Sequence, residues 1–195
     1  DLVYLKENMY PIVTEKINEY LESHRKDLDG IYISGGEPLM HEGVVSFLQY
    51  AKTLNYKIKI HTNGMFYERL KTILAQKLVD HVSLDIKNAP SAYAKTCGVE
   101  DMDLKDIEKS LDLLKQSAVP YDICVTLVDE LHNQATIEEL GEWIQGVDTV
   151  ILQPFEDRET TIDHSLHRPS FKVVLKYKKI FEKYVKHVKI RGDQA

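Results

Sequence analysis

The sequence predicts an α/β protein with a parallel sheet, and three observations lead to that fold class. Short apolar runs rich in Ile, Val, Leu and Tyr alternate along the chain with longer segments of helical period. The connections between these segments are short, which is typical of strand–helix–strand units. Neither an internal repeat nor a low-complexity tract interrupts the order. A partial barrel and a doubly wound open sheet both fit this alternation.

The individual elements follow from these patterns. Strands are predicted where apolar and β-branched residues run together, as in buried parallel sheets, at residues 30–34, 57–62, 81–87, 121–128, 149–153 and 187–191. Helices are predicted where apolar residues recur on one face, at residues 11–26, 44–54, 67–78, 104–116, 137–144 and 171–184. Thr136 is predicted to cap the fifth helix, because acidic residues follow in its first turn.

Composition limits the domain organisation and the function classes. The 195 residues predict one domain, 1–195, with a polar loop or lid at 156–169 and a C-terminal helix and short strand at 170–195. A net charge of −6 argues against a nucleic-acid partner. No long apolar run or signal peptide is visible, so we expect no membrane partner and a cytoplasmic location. The two cysteines, Cys97 and Cys124, are expected to be small buried hydrophobic residues.

Polar residues concentrate where the predicted strands end, which is where parallel α/β proteins place their functional groups. The richest cluster is Ser34-Gly35-Gly36-Glu37-Pro38, directly after the first strand. Its two glycines leave backbone groups open to a ligand, and the Glu37 carboxylate can accept from an ammonium group. The same residues also suit an ordinary strand-to-helix turn, with Pro38 near the first helical position.

Two further strand ends carry candidate groups. Thr62-Asn63-Gly64 is a turn signal, and His61 before it is a candidate ligand or acid–base group, or a simply hydrogen-bonded histidine. Asp85 and Lys87 lie two residues apart, so they point to the same side of a strand. If that side is interior, the two charges must pair or meet a ligand; if the strand has ended, both are solvated.

Three motifs therefore follow one another at successive strand ends: Gly35-Gly36-Glu37-Pro38, Thr62-Asn63-Gly64 and Asp85-Ile86-Lys87. Together they resemble the radical S-adenosylmethionine (SAM) superfamily, and most closely the activating enzymes of glycyl-radical enzymes of the anaerobic ribonucleotide reductase type. The resemblance extends from residue 1 to about residue 156. It implies a partial (β/α)6 barrel, open at one side, whose first strand and cluster-binding loop would precede Asp1.

The resemblance also implies roles for the motif residues. The implied cofactor-binding set is Ser34, Gly35, Gly36, Glu37, Thr62, Asn63, Asp85, Lys87, Gln153 and Pro154. Within it, the Gly-Gly-Glu residues would hold the amino group of SAM, and the strand ending at Gln153 and Pro154 would contact adenine. Asp85 and Lys87 would form the catalytic pair, near the ribose and the incoming peptide. A monovalent cation is implied near His61, Thr62 and Asp85, although relatives place an Asp where this chain has His61.

The chemistry that the resemblance implies uses a 4Fe–4S cluster to cleave SAM to a 5′-deoxyadenosyl radical, which abstracts hydrogen from a glycine of a partner. The implied partners are a glycyl-radical enzyme and a flavodoxin- or ferredoxin-type electron donor. An apolar barrel with polar groups only at its mouth would suit this chemistry. The Cys-x3-Cys-x2-Cys motif is absent from the 195 residues and is expected upstream, so this chain alone is expected to be inactive. Cys124 stands where relatives carry an Arg that contacts the cofactor carboxylate. Loss of that Arg would weaken binding or move the task to another cation.

Three other functions remain compatible with the sequence. The chain could belong to a radical enzyme acting on a small molecule or modifying a peptide. It could instead be a cluster-free barrel that binds a nucleotide or a partner protein. A phosphate-binding barrel enzyme is disfavoured, because no Gly-rich loop opens a helix late in the chain.

Overall fold

The computed structural model describes residues 14–159, 161 and 163–192, and a six-stranded sheet forms its centre. The strands are β1 (Gly30–Ile33), β2 (Lys57–Thr62), β3 (His81–Asp85), β4 (Tyr121–Leu127), β5 (Thr149–Pro154) and β6 (His187–Ile190). All neighbouring strands are parallel, and their order in the sheet follows their order in the chain. A doubly wound sheet reverses its strand order at a switch point. The sequential order therefore confirms the predicted partial barrel over the doubly wound alternative.

Helices connect the strands, as predicted, with shifted ends. They are α1 (Thr14–Ser23), α2 (Val44–Thr53), α3 (Tyr67–Ala75), α4 (Pro90–Cys97), α5 (Lys105–Gln116), α6 (Gln134–Trp143) and α7 (Phe171–Phe181), with a 3₁₀ turn at Pro38–Met40. The start predicted for the first helix, at residues 11–13, lies outside the described residues. Within the described part of the chain, none of these helices has the length and apolarity to cross a bilayer.

Two helix predictions need correction. Helix α4 was not predicted from the sequence, although Pro90 in its first turn and Gly98 at its end, with φ 72°, are both standard helix signals. Thr136 does not cap α6: the cap is Asn133, whose side chain accepts from the Thr136 amide at 3.1 Å. The Thr136 hydroxyl accepts from the Asn133 amide at 3.1 Å in return. This reciprocal pair satisfies two free donors and starts the helix earlier than predicted.

The two faces of the sheet differ in character. The face covered by helices is apolar, and its side chains are at most 1% exposed at Ile58, Ile60, Val82, Leu84, Ile123, Val125, Val150 and Leu152. The alternate residues of the same strands are mostly polar, including Lys59, His61, Ser83, Asp85 and Gln153. Because side chains alternate across a strand, the described helices and the core lie on one side of the sheet.

The uncovered face curves around a cavity. Tyr32 of β1 and Arg191, which follows β6, line the same cavity. In a flat sheet, five strand spacings would separate these two residues by about 24 Å. The uncovered face is therefore concave, and it is called the concave face below.

The described residues of the loop predicted at 156–169 form neither helix nor strand, and His167 binds the loop to the connection after β4. The His167 amide donates to Glu130 Oε2 at 2.8 Å, and its Nδ1 lies 2.6 Å from Glu130 Oε1. The Asp129 amide donates to the His167 carbonyl at 3.0 Å. The loop thus lies beside the carboxyl end of the sheet, and its role as a lid stays a prediction.

Candidate functional site

A cavity of about 540 Å³ lies at the carboxyl ends of the strands, within the usual range for small-molecule sites. It brings together nearly all of the residues that the sequence singled out. Those that line it are Ser34, Gly35, Gly36, Glu37, His61, Thr62, Asn63, Asp85, Lys87 and Gln153. Pro154 is the exception: it ends β5 as a buried residue and does not line the cavity.

Glu37 fixes the ends of β1 and β2 to each other. Its Oε1 accepts from the Leu39 amide at 3.0 Å and from the Thr62 hydroxyl at 2.8 Å. Its Oε2 accepts from the Asn63 amide at 2.7 Å. The side chain is 3% exposed, so these three donors compensate the burial of its charge. The carboxylate therefore acts first as a link between two strand ends, with little acceptor capacity left for a ligand.

The glycine turn before Glu37 is open to the cavity. Gly35 has φ 121°, a conformation that side-chain-bearing residues rarely adopt. A Cβ built on it would meet no atom within 4 Å, so the space beside this backbone is empty. Gly35 and Gly36 both line the cavity and can present backbone groups to a ligand.

A chain of polar side chains crosses the cavity from β1 to the end of β3. The Tyr32 hydroxyl lies 2.8 Å from His61 Nδ1, and His61 Nε2 lies 3.8 Å from Asp85 Oδ2. With the Tyr32 hydroxyl donating, the imidazole carries its proton on Nε2, facing the Asp85 carboxylate. Asp85 Oδ2 in turn accepts from Lys87 Nζ at 2.5 Å. Strand β3 ends at Asp85, before Lys87. The two charges nevertheless pair with each other, as was expected if they faced the interior.

The Asp85–Lys87 pair keeps both groups ionised. Burial raises the pKa of Asp85, but His61 and Lys87 outweigh it, so the pKa lies below its usual value. For Lys87, burial lowers the pKa, but the Asp85 carboxylate outweighs it and the pKa is raised. Asp85 Oδ1 is buried and has no hydrogen-bond partner among the described residues. A buried acceptor of this kind is costly, and a donor on a ligand would relieve that cost.

The concave face is polar well below the mouth, which contradicts the expectation of polar groups only at the mouth. Asp122, near the start of β4, is 4% exposed and accepts from three side chains. These are Lys59 at 3.1 Å, His81 Nε2 at 2.6 Å and Ser83 at 2.5 Å. Burial raises the pKa of Asp122, but these donors outweigh it and leave the pKa below its usual value. This part of the concave face is therefore a satisfied ionic network. Strand alternation could have predicted that these positions are polar, but not which groups pair.

Comparison with known protein families assigns the chain to one of them. A family model described as the radical SAM superfamily matches residues 4–144, which is more than half of the chain. The chain belongs to the radical SAM superfamily. Members of the superfamily bind SAM and a 4Fe–4S cluster.

Individual relatives agree with the radical SAM assignment. A Methanocaldococcus jannaschii protein, provisionally named glycyl-radical enzyme activating enzyme MJ1227, is 30% identical over 169 residues, covering 84% of this chain and 70% of that protein. A domain of pyruvate-formate lyase-activating enzyme from Bacteroides vulgatus matches with TM-score 0.65 and 19% identity, over 84% of this chain and 99% of its own. Streptococcus suis SuiB bound to S-adenosylmethionine matches with TM-score 0.73 and 13% identity, over 96% of this chain and 46% of its own. At these identities the two structures support the fold alone.

The residues present suit SAM better than they suit the cluster of a radical SAM protein. The glycine turn with free space beside it and the orphaned Asp85 Oδ1 offer groups for an ammonium and a hydroxyl. The only two cysteines lie on separate elements: Cys97 ends α4 and Cys124 lies in β4. Among the described residues, no group of three His, Cys, Asp or Glu side chains could hold a metal ion. The cation predicted near His61, Thr62 and Asp85 stays a prediction.

The two cysteines differ in environment. Cys124 is buried as predicted, and burial raises the pKa of its thiol to about 11. Cys97 is exposed, which contradicts the prediction that it is buried. Its position at the end of α4, a helix that the sequence analysis missed, explains the error.

Three cavity residues were not predicted as site residues: Tyr32, Thr126 and Arg191. Cys124, which stands where relatives carry an Arg for the cofactor carboxylate, also lines the cavity. Tyr32 and Thr126 could have been found by strand alternation, since each lies on the concave face. Arg191 directly follows β6 and obeys the same strand-end rule that identified the other clusters.

His132 supports the site from behind. Its Nε2 donates to the Lys87 carbonyl at 3.0 Å, and its Nδ1 accepts from the Val128 amide at 3.1 Å. The Tyr177 hydroxyl donates to its carbonyl at 2.9 Å. The imidazole is 3% exposed, and burial lowers its pKa in the folded protein. A protonated Nδ1 would exchange the bond from the Val128 amide for one to the Val128 carbonyl, also 3.1 Å away, so it is burial that lowers the pKa.

This burial predicts a pH dependence of stability. A histidine with a lowered pKa in the folded state binds its proton preferentially in the unfolded state. Its contribution to the free energy of unfolding is therefore complete above about pH 6.5 and falls as the pH drops. We expect the urea midpoint to fall between about pH 7.5 and pH 5.5, and His132→Asn to reduce that difference. His41 is exposed, so His41→Asn is the matched control and should leave the difference in urea midpoint unchanged. Equal pH dependence in wild type and His132→Asn would contradict this role.

Proposed function

We propose that this chain forms the barrel of a radical SAM activating enzyme that abstracts hydrogen from a glycine of a glycyl-radical enzyme. The observation that carries the proposal is the juxtaposition, in one cavity, of the open Gly35-Gly36 turn and the half-buried Asp85–Lys87 pair. The 30% identity to MJ1227, whose name gives this activity, and the likeness to a domain of an activating enzyme support the choice of partner.

The proposal gives each residue a task. Backbone groups of Gly35 and Gly36 would bind the amino group of SAM, and Glu37 would hold their turn against β2. Asp85 Oδ1 would accept from a ribose hydroxyl, while Lys87 keeps the carboxylate ionised. Ser34, Thr62 and Asn63 would complete the cofactor site, and the backbone at Gln153 would contact adenine. When bound with a cluster, SAM supplies the radical that abstracts hydrogen; the cluster cysteines would lie outside this chain.

The partners and the location remain part of the proposal. The substrate would be the glycine loop of a glycyl-radical enzyme, and the electrons would come from a flavodoxin- or ferredoxin-type donor in the cytoplasm. A cavity open to solvent on the concave side suits a loop supplied by another protein. The alternative substrate, a small molecule or a modified peptide, is favoured by the positive charge of Arg191 on the cavity wall.

The test uses the protein expressed without oxygen from its complete reading frame. Iron and sulfide are measured first, then 5′-deoxyadenosine formation, and then the glycyl radical on the anaerobic ribonucleotide reductase of the same organism by electron paramagnetic resonance. We expect all three, with Asp85→Asn lowering 5′-deoxyadenosine formation by about 100-fold. Asp112→Asn, on an exposed face of α5, is the control and should leave that rate unchanged.

Each departure from this result has a distinct meaning. Formation of 5′-deoxyadenosine without a glycyl radical would reject the activating role and favour a small molecule or peptide as substrate. Absence of iron and sulfide, with SAM still bound, would favour the cluster-free binding protein. Absence of SAM binding would remove the assignment of the cavity.

A further inference from the structure

We propose that Arg191 and Gln153 form a recognition site for an oxyanion, a carboxylate or phosphate group, on the wall of the cavity farthest along the sheet from the Gly35-Gly36 turn. This site goes beyond the proposed function, because it specifies a charged group on the ligand. It depends on the cavity and not on the radical chemistry.

The position of Arg191 is fixed by two hydrogen bonds to β5. Its backbone amide donates to the Leu152 carbonyl at 2.8 Å, which extends the β5–β6 pairing by one residue. Its guanidinium Nη1 donates to Gln153 Oε1 at 2.6 Å. Both side chains line the cavity. Arg191 is exposed to solvent, and its bond to Gln153 holds the guanidinium against the cavity wall.

The charge of Arg191 is not neutralised within the described residues. Gln153 is a neutral acceptor, and no carboxylate of the described chain lies within the 4.0 Å ion-pair distance of the guanidinium. The other cation that lines the cavity, Lys87, is paired with Asp85. Cys124 lies between these groups with a thiol pKa of about 11, so it is neutral at physiological pH.

This arrangement fits an oxyanion. A guanidinium has five N–H donors in a planar fork, and Gln153 occupies one of them. The remaining donors match two oxygens of a carboxylate or phosphate at once, which a lysine ammonium cannot do. The amide nitrogen of Gln153 adds a further donor beside the fork.

Two ligands could supply the oxyanion: the methionyl carboxylate of SAM, or the substrate. The amino group and carboxylate of SAM share one carbon, so an amino group at Gly35 and Gly36 keeps that carboxylate near β1. Arg191 lies at the opposite edge of the sheet, after β6. The geometry therefore favours an oxyanion of the substrate.

The test measures anion binding to the full-length protein by calorimetry, with inorganic phosphate and acetate as probes. We expect saturable binding at millimolar concentrations, and at least tenfold weaker binding in Arg191→Gln. Arg191→Lys should also bind more weakly than wild type, because it keeps the charge and loses the fork. Lys183→Gln removes the same charge from the exposed surface after α7 and is the matched control.

A second comparison identifies the source of the oxyanion. 5′-Methylthioadenosine lacks the aminocarboxypropyl group of SAM, and with it the carboxylate, so Arg191→Gln weakens only SAM binding if Arg191 takes the cofactor carboxylate. If Arg191→Gln binds SAM and 5′-methylthioadenosine as wild type does, but no longer binds phosphate or acetate, the site is assigned to the substrate. The proposal is overturned if the wild-type protein binds no anion, or if Arg191→Gln or Arg191→Lys binds anions as tightly as wild type. It is also overturned if Lys183→Gln loses as much affinity as Arg191→Gln. SAM binding and cluster content are read separately, so failure here leaves the proposed function standing.

Discussion

Replacing Glu37 with alanine is expected to lower the free energy of unfolding by about 3 kcal/mol, since it leaves the Leu39 amide, the Thr62 hydroxyl and the Asn63 amide without their acceptor. Unsatisfied buried donors cost about 1–3 kcal/mol each, and water from the cavity can replace the partner of Asn63, which is only partly buried. For a chain of this length the melting midpoint should fall by about 6–12 °C. Thermal and urea unfolding measure both quantities.

Glu37→Gln and Glu42→Ala separate the charge from the loss of a side chain. Gln keeps one acceptor oxygen but places an amide NH₂ group against a donor, so its stability should lie between those of wild type and Glu37→Ala. Glu42 is exposed on the loop before α2, and its replacement should change stability by no more than about 0.5 kcal/mol. A stable Glu37→Ala protein that has lost SAM binding would instead make Glu37 a direct ligand of the cofactor and not a link between strands.

Much of this site was accessible from the sequence because local chemistry and fold topology agree there. The order of strands and helices predicts a parallel sheet, and a parallel sheet collects its strand ends at one edge. Gly35, Asn63 and Asp85 could therefore be placed together without knowing any distance. The prediction succeeded at this level because it needed only the period of the apolar residues and the ends of the strands.

What the sequence could not supply is which partner each polar group takes. Nothing in the spacing of Glu37 and Thr62 shows that a carboxylate after β1 accepts from a hydroxyl at the end of β2. The ionic network of Asp122 depends on three strands coming into register. The strand-end rule identifies Arg191 as a candidate, but its place on the wall of the same cavity as Tyr32 depends on the curvature of the whole sheet.

Replacing Lys87 with methionine is expected to affect the protein more than replacing its partner Asp85 with asparagine. Without the ammonium, the Asp85 carboxylate keeps only His61, at 3.8 Å, as a neighbouring donor while one of its oxygens is already unpartnered. Without the carboxylate, Lys87 can turn to solvent, since its side chain is 40% exposed. That exposure also screens the pair, so we expect a loss of about 1–2 kcal/mol for Lys87→Met and less than about 1 kcal/mol for Asp85→Asn.

Combining the two replacements tests whether the groups act as one unit. The double variant should lose less stability than the sum of the single variants, since no buried charge is left without a partner. Asp85 has a lowered pKa in the folded state, so its contribution is present above about pH 3.9 and is lost as the pH falls below that value. Lys87→Met should raise the pKa of Asp85 and move that loss to higher pH. If the effects of the two replacements add, and Lys87→Met leaves the loss of stability at low pH unchanged, the two charges are solvated independently. The pair would then lose its place at the centre of the proposed cofactor site.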